Sequence, residues 1–128
     1  MSAASTKLVQ QWYATGDTSL LADNVVWTVL DTFPEGGTII GRDTVATTFF
    51  PAVKALFDTY AAVPETCVTE GETVVTTGHY HLMTPGGVRG DIAFAHVWTT
   101  GQGKILSFRQ VADTAALRAL LEAEGRAA

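Results

Sequence analysis

Two strand-like runs joined by a short glycine turn and delivered straight into a capped helix fill the last third of the chain. No other feature constrains the fold as much. Asp91 to Thr100 is rich in β-branched and aromatic residues, Gly101-Gln-Gly103 interrupts it, Ile105 to Ala112 resumes it, and Asp113 opens an alanine- and leucine-rich tail. A connection of hairpin length between such runs predicts antiparallel pairing. An aspartate ahead of Thr-Ala-Ala-Leu predicts an N-capped helix. The pattern extends backward through Glu65 to Glu70, Thr73 to Met83 and Val88 to Thr100, separated by Gly71-Glu72 and Pro85-Gly86-Gly87, so the sheet is expected to be largely antiparallel.

The first half reads differently. Leu8, Val9, Trp12 and Tyr13 recur at helical spacing and Gly16 ends the pattern, which predicts an amphipathic helix from about Ser5 to Thr15. Asp17 to Leu21 reads as a short helical turn. Val25 to Leu30 reads as a strand, followed by a loop at Phe33-Pro-Glu-Gly-Gly37. From Thr44 to Tyr60, Val45, Phe49, Val53, Leu56, Phe57 and Tyr60 recur at three and four, predicting a long helix. Pro51 inside it removes a hydrogen bond and predicts a kink or two helices in series. Helices first and a long sheet afterwards is the order of an α+β domain. A chain of 128 residues fits one domain spanning 1–128, since single cores hold roughly 100–200 residues.

Composition excludes several classes of function. The net charge is -5 and only 16% of residues are charged, with Lys and Arg scattered singly, so neither nucleic acid nor anionic lipid is an expected partner. No run approaches the ~20 apolar residues of a membrane span. The N-terminal residues lack the apolar core of a secretory signal, and Cys67 is the one cysteine. A cytoplasmic location is therefore expected, with no internal disulfide.

Several segments in order carry a resemblance: Trp12-Tyr13 before Gly16-Asp17, Leu21-Ala-Asp-Asn-Val-Val-Trp27, Phe33-Pro-Glu-Gly-Gly37, Gly41-Arg-Asp43, Gly78-His-Tyr80, Phe94-Ala-His-Val-Trp98, and Phe108-Arg-Gln-Val-Ala-Asp113. Together they resemble the SnoaL-like members of the nuclear transport factor 2 and ketosteroid isomerase superfamily. The resemblance implies a cone, in which a strongly curved, mostly antiparallel sheet wraps around N-terminal helices, a short C-terminal helix follows, and a pocket opens at the wide end. It also implies frequent pairing through the outer face of the sheet. The scaffold hosts isomerases, polyketide cyclases, dehydratases, epoxide hydrolases and binding modules, so the chemistry has to be read from the pocket.

Aligning the turn at Gly103-Lys104 with a ketosteroid isomerase places Phe108, Gln110 and Ala112 inward, together with Asp91, Ala93 and Ala95. It places Arg109, Phe94, His96 and Trp98 outward. Anchoring the preceding hairpin on Gly71-Glu72 turns Val75, Thr77, His79, His81 and Met83 inward. The isomerase machinery is absent on this alignment: Ala95 stands where the protonated acid would be, Val29 where the base would be, and no tyrosine stands at the matching turn of the first helix. Asp31, two residues beyond Val29, shares its face.

His79, His81 and Asp31 are thus the candidate acid/base group, because imidazole exchanges protons near neutrality and a carboxylate can fix its tautomer. His-x-His is also metal-ligand spacing and would need a third ligand, which leaves a metal site as a minor alternative; the resemblance implies a superfamily that mostly works without metals, so no metal or cofactor is expected. Asp113 matches an acidic residue of the cyclases and is also what a helix N-cap requires. Trp27, Val29, Phe33, Phe49, Val53, Phe57, Tyr60, Thr77, Ala95, Phe108 and Gln110 are the expected substrate-binding wall, with Gln110 addressing a carbonyl or hydroxyl. His96 and Trp98 are the expected homodimer contact. The leading expectation is an acid/base enzyme, of isomerase, cyclase or dehydratase type, on a small apolar or aromatic carbonyl metabolite. The alternatives are a non-catalytic binding module and an epoxide hydrolase, the last made less favourable by an outward Arg109.

Overall fold

The computed structural model describes residues 2–127, and the side chains of residues 3–124. Helix α1, Ser2–Thr15, leads through a single 3₁₀ turn, Thr18–Leu20, into strand β1, Leu21–Val29. Strand β2, Gly37–Ile40, and a helical segment α2 over residues 42–54 follow. Strands β3 (Thr59–Glu70), β4 (Thr73–Met83), β5 (Arg89–Gly101) and β6 (Lys104–Ala112) lead to helix α3, Thr114–Ala127. The six strands form one curved, unclosed sheet in the order β2-β1-β6-β5-β4-β3. Every neighbouring pair is antiparallel except β1 and β6, which run parallel. Among the described residues no helix is long and apolar enough to cross a membrane.

Helix α1 buries Ser5, Val9 and Trp12 against the inner face of the sheet. It stops at Gly16, whose φ of +63° lets its N–H turn back to the Trp12 carbonyl at 2.8 Å. A left-handed glycine is the usual helix terminator because it carries no Cβ penalty there. Helix α2 shows how the chain accommodates Pro51. Val45–Phe49 widens into a π turn in which the Phe50 N–H reaches the Val45 carbonyl, and the following α turn starts with proline in its first positions, where no N–H is needed. The helix ends at Lys54, short of the expected Tyr60, which belongs to β3 instead. Strand β3 therefore begins six residues before the expected start at Glu65. It tolerates Pro64 because it is the sheet edge and carries a bulge between Pro64 and Thr66.

One irregularity decides which side chains face inward. From Gly101↔Lys104 the β5–β6 register slips between Thr99 and Thr100, so that Thr100 pairs with Ile105 but Thr99 with Ser107, leaving Leu106 as an extra residue. Because strand side chains alternate, one extra residue exchanges the faces of everything beyond it. Trp98 pairs with Phe108, His96 with Gln110 and Phe94 with Ala112, and all of them except the half-buried Ala112 are buried on the inner face. Strand β4 follows: Val74, Thr76, Tyr80 and Leu82 are buried, while the alternate residues point outward.

Trp12, Trp27 and Trp98 form the centre of the core. Their ring centroids lie 5.6, 6.4 and 6.0 Å apart at steep angles, the edge-to-face geometry that aromatic quadrupoles favour. Phe108 stacks on Trp27 at 3.9 Å. These rings tie α1, β1, β5 and β6 together and form one wall of the space beneath the sheet.

Candidate functional site

A partly open cavity of about 320 Å³ lies between α1, α2 and the inner face of the sheet. The last turn of α1 supplies Trp12 and Tyr13, α2 supplies Phe49, Phe50 and Lys54, and β1 supplies Trp27 and Val29. Tyr60 to Ala62 of β3, Tyr80 of β4, His96 of β5, and Phe108 and Gln110 of β6 complete the wall. The lining is predominantly aromatic, and among the described residues no carboxylate lines it.

The polar groups of the cavity form one connected network. His96, 3% exposed, is bracketed by two phenols: Nδ1 lies 2.5 Å from the Tyr13 hydroxyl and Nε2 lies 2.7 Å from the Tyr80 hydroxyl. Tyr80 also accepts from Gln110 Nε2 at 2.8 Å. Tyr13 meets Thr76 Oγ1 at 2.6 Å, and Trp98 Nε1 donates to the same Thr76 oxygen at 3.2 Å. Phe94 stacks flat on the imidazole at 3.9 Å and 6°. Burial pushes the His96 pKa well below its ordinary value, so the ring is neutral, with one nitrogen donating and one accepting. Burial likewise raises the pKa of Tyr13, Tyr60 and Tyr80, keeping all three as phenols. Two further buried polar atoms on residues of this wall, Trp27 Nε1 and Gln110 Oε1, have no partner among the described residues. The cavity thus has an apolar aromatic body and a neutral polar end.

The expected site residues divide accordingly. Trp27, Val29, Phe49, Tyr60, Phe108 and Gln110 stand on the cavity wall. Val53 and Phe57 are buried in the core beside it, and Phe33 packs 5.7 Å from Tyr80 while lining a separate groove under α3. Ala95 lies on the outer face, contrary to expectation, because of the slip at Leu106, and Thr77, its partner on β4, lies outward too, against the count from Gly71-Glu72. The histidines lie on that outward parity of β4 as well, against the count from Gly71-Glu72. His79 and His81 point outward and are each tied to a separate carboxylate, Glu65 at 2.9 Å and Asp91 at 2.7 Å. Asp31 is exposed in the turn after β1, beside a shallow groove with Thr38 and Arg109. Asp31, His79 and His81 do not meet, and none of them reaches the cavity.

Asp113 accepts the Ala116 N–H at 3.1 Å and is exposed, the geometry of a helix cap lying off the cavity. Arg109 is exposed, as expected. His96 and Trp98, expected at a dimer contact, are instead 3% and 0% exposed in the interior. Among the described residues no three of His, Cys, Asp and Glu gather where they could hold a metal ion.

Sequence reasoning missed Tyr13, Tyr80 and His96. The signal available was the alternation itself: Tyr80 and Leu82, then Ile92, Phe94 and Trp98, put every Tyr, Phe, Trp, Leu and Ile of β4 and β5 on one parity, with His96 among them.

An α+β cone with an aromatic cavity beneath a curved sheet defines a small-molecule scaffold of the nuclear transport factor 2-like class. Within that class the family model described as a SnoaL-like domain matches residues 10–108, and the chain belongs to the SnoaL-like family. Among solved structures it is similar to an NTF2-like protein of unknown function from Burkholderia pseudomallei, with 26% identity, 91% of this chain and 96% of that chain covered, and a TM-score of 0.84. It is also similar to TerC co-crystallised with polyporic acid, at 22% identity, 93% and 98% coverage and a TM-score of 0.85. A SnoaL-like polyketide cyclase, so described, from Jannaschia sp. CCS1 matches at 14% identity, 93% and 92% coverage and a TM-score of 0.80. The last two likenesses concern the fold alone. No curated protein sequence matches the chain.

Proposed function

We propose that the protein is an acid/base enzyme acting on a small, flat, largely apolar metabolite that carries a carbonyl, with the ring system held among Trp12, Trp27, Phe49 and Phe108 and the oxygen at the Tyr80–Gln110 end. The observation that carries this reading is the neutral His96 bracketed by two phenols at the polar end of an aromatic cavity. A phenol held un-ionised by burial donates a hydrogen bond to a carbonyl, and the bond strengthens as negative charge develops on that oxygen. His96 behind it supplies a proton store that needs no net charge in the resting site.

No carboxylate on the described wall stands ready to abstract a carbon-bound proton. The reactions that fit are those limited by carbonyl polarisation and by folding of the substrate: ring closure of an already acidic dicarbonyl, isomerisation of such a compound, or loss of water. The polyporic acid held by TerC and the cyclase description of the Jannaschia protein support an aromatic or polyketide-like ligand. An epoxide-opening cluster is less favoured, since Arg109 stands exposed outside the cavity.

The same observations favour a second reading, binding without turnover, because both imidazole nitrogens are already engaged. Polyporic acid and a set of cyclic 1,3-diketones, titrated against tryptophan fluorescence and followed by mass spectrometry, separate the two. Conversion that Tyr80→Phe abolishes while affinity changes only a few-fold supports the enzyme. Tight binding with no conversion of any compound, and affinity lost in Tyr80→Phe, leaves the binding module. Pairing of two copies across the outer face is part of the proposal, through Val68, Val75, Val97 and Val111, which that face presents in place of His96 and Trp98.

A further inference from the structure

The hydrogen-bond network behind the cavity has a direction, set by the one member that can only donate. Trp98 gives Nε1–H to Thr76 Oγ1, and an indole accepts nothing in return. Thr76 is 1% exposed and does not line the cavity. Among the described residues its hydroxyl has one other partner, Tyr13, at 2.6 Å.

Two proton orderings satisfy the distances. In the first, Thr76 donates to Tyr13, Tyr13 to His96 Nδ1, and His96 Nε2–H to Tyr80, so the proton left over is at the cavity end. In the second, Tyr80 donates to His96 Nε2, His96 Nδ1–H to Tyr13, and Tyr13 to Thr76. The proton left over is then that of Thr76, sealed in the core. Both orderings make the same number of bonds, so the position of the unpaired proton decides between them. A donor without a partner in a dry interior bears its full desolvation cost, whereas one on a cavity wall can be met by a ligand or by water.

We infer that Trp98 and Thr76 hold His96 as the Nε2–H tautomer, so that the polar end of the cavity terminates in a hydrogen-bond donor and selects ligands presenting an acceptor oxygen there, as a ketone, quinone or enolate does, over ligands presenting an N–H. The orientation of the Gln110 amide decides which donor is left at this end. As placed, Gln110 Nε2 donates to Tyr80 and the free proton belongs to Tyr80. With the amide turned over, its nitrogen takes the buried position of Oε1, where no partner stands, and strands its donors, so the orientation as placed is the favoured one. Thr76 and Trp98 touch no ligand in this scheme and are positioning residues. The ligand clause rests on the small-molecule reading of the cavity; the tautomer assignment does not.

The test is the tautomer of His96 in the ligand-free protein, read from imidazole 15N shifts and their couplings to ring protons, with His96→Gln identifying the signals. Wild type and Thr76→Ser are expected to show Nε2–H. Thr76→Val, which keeps the shape and removes the hydroxyl, is expected to show a mixture or Nδ1–H. An Nδ1–H ring in wild type, or a Thr76→Val spectrum unchanged from wild type, overturns the assignment. Affinities for 9-fluorenone, an acceptor, and carbazole, a donor of similar shape, test the ligand clause. Fluorenone is expected to bind at least about tenfold more tightly, a gap that Thr76→Val narrows. A preference for carbazole overturns the ligand clause. Binding of neither compound by a protein showing Nε2–H overturns that clause and the small-molecule reading together and leaves the tautomer standing.

Discussion

Acid should weaken this protein through His96, by an amount that follows from its burial. Burial holds the His96 pKa well below the ordinary 6.5. Above about pH 6.5 the imidazole is neutral in both the folded and the unfolded chain and contributes nothing to the pH dependence. Below it the unfolded chain binds a proton that the folded chain refuses, so stability falls as pH falls. For a ring that stays neutral in the fold, the loss is RT ln(1 + 10^(6.5 − pH)), which is on the order of 1 kcal/mol at about pH 5.5 and on the order of 3 kcal/mol at about pH 4.5. The folded ring is enclosed by Phe94, Phe108, Trp98 and the two phenols, and no carboxylate lines the cavity beside it among the described residues. Nothing there compensates an imidazolium.

The assay is urea unfolding of wild type and His96→Gln across this pH range. Each protein serves as its own reference, so contributions from the exposed His79–Glu65 and His81–Asp91 pairs cancel in the comparison. Wild type should lose stability more steeply than the variant, with the difference approaching ~1.4 kcal/mol per pH unit below about pH 5.5. Parallel profiles would mean that His96 is protonated within the fold, and would refute the neutral network from which the mechanism starts.

Other substitutions probe separate parts of the account. Gly78→Ala should destabilise by roughly 2–3 kcal/mol, seen as a lower Tm, because a Cβ there would stand 2.1 Å from the Val63 carbonyl at the β3 bulge. Tyr80→Phe should cost roughly 1–3 kcal/mol in urea unfolding, since it strands the Gln110 amide and one His96 nitrogen. His79→Gln and His81→Gln should each change stability by less than ~1 kcal/mol and leave ligand affinity unaltered, because both rings sit in exposed ion pairs on the outer face. Val97→Glu, placing a charge in the middle of that face, should convert a dimer to a monomer in light scattering at constant fold content; a dimer that survives places the pairing surface elsewhere.

The architecture was legible in the sequence because its signals were local. Glycine turns at Gly71 and Gly101, the cap at Asp113 and the helical spacing of Leu8, Val9 and Trp12 each specify structure within a few residues. Strand β2 escaped because Gly37 to Ile40 is too short to show alternation. Tyr60 reads as helical because its spacing from Phe57 fits a period of 3.6, although Lys54 ends that helix. The site is hidden in the sequence by two parity counts. Parity counted from the turn at Gly103-Lys104 is right for Phe108 and Gln110 but fails across the extra residue at Leu106 and so turns Ala95 inward and His96 and Trp98 outward, while the count from Gly71-Glu72 takes the wrong parity along β4 and turns His79 and His81 inward in place of Tyr80. A bulge leaves little trace in composition. The alternation of Phe94, His96 and Trp98 against Ala93, Ala95 and Val97 held the correct answer, and hydrophobic burial, the stronger physical term, enforces it.

The central claim is that the aromatic cavity, and not the outer histidines or the groove at Asp31, receives the ligand with its oxygen at Tyr80 and Gln110. A crystal structure with 9-fluorenone bound tests it most directly. The account predicts the ring system against Trp27 and Phe108, with the carbonyl oxygen about 3 Å from the Tyr80 hydroxyl or the Gln110 amide. Ligand seated on the His79–His81 face or beside Asp31, over an empty cavity, would contradict it.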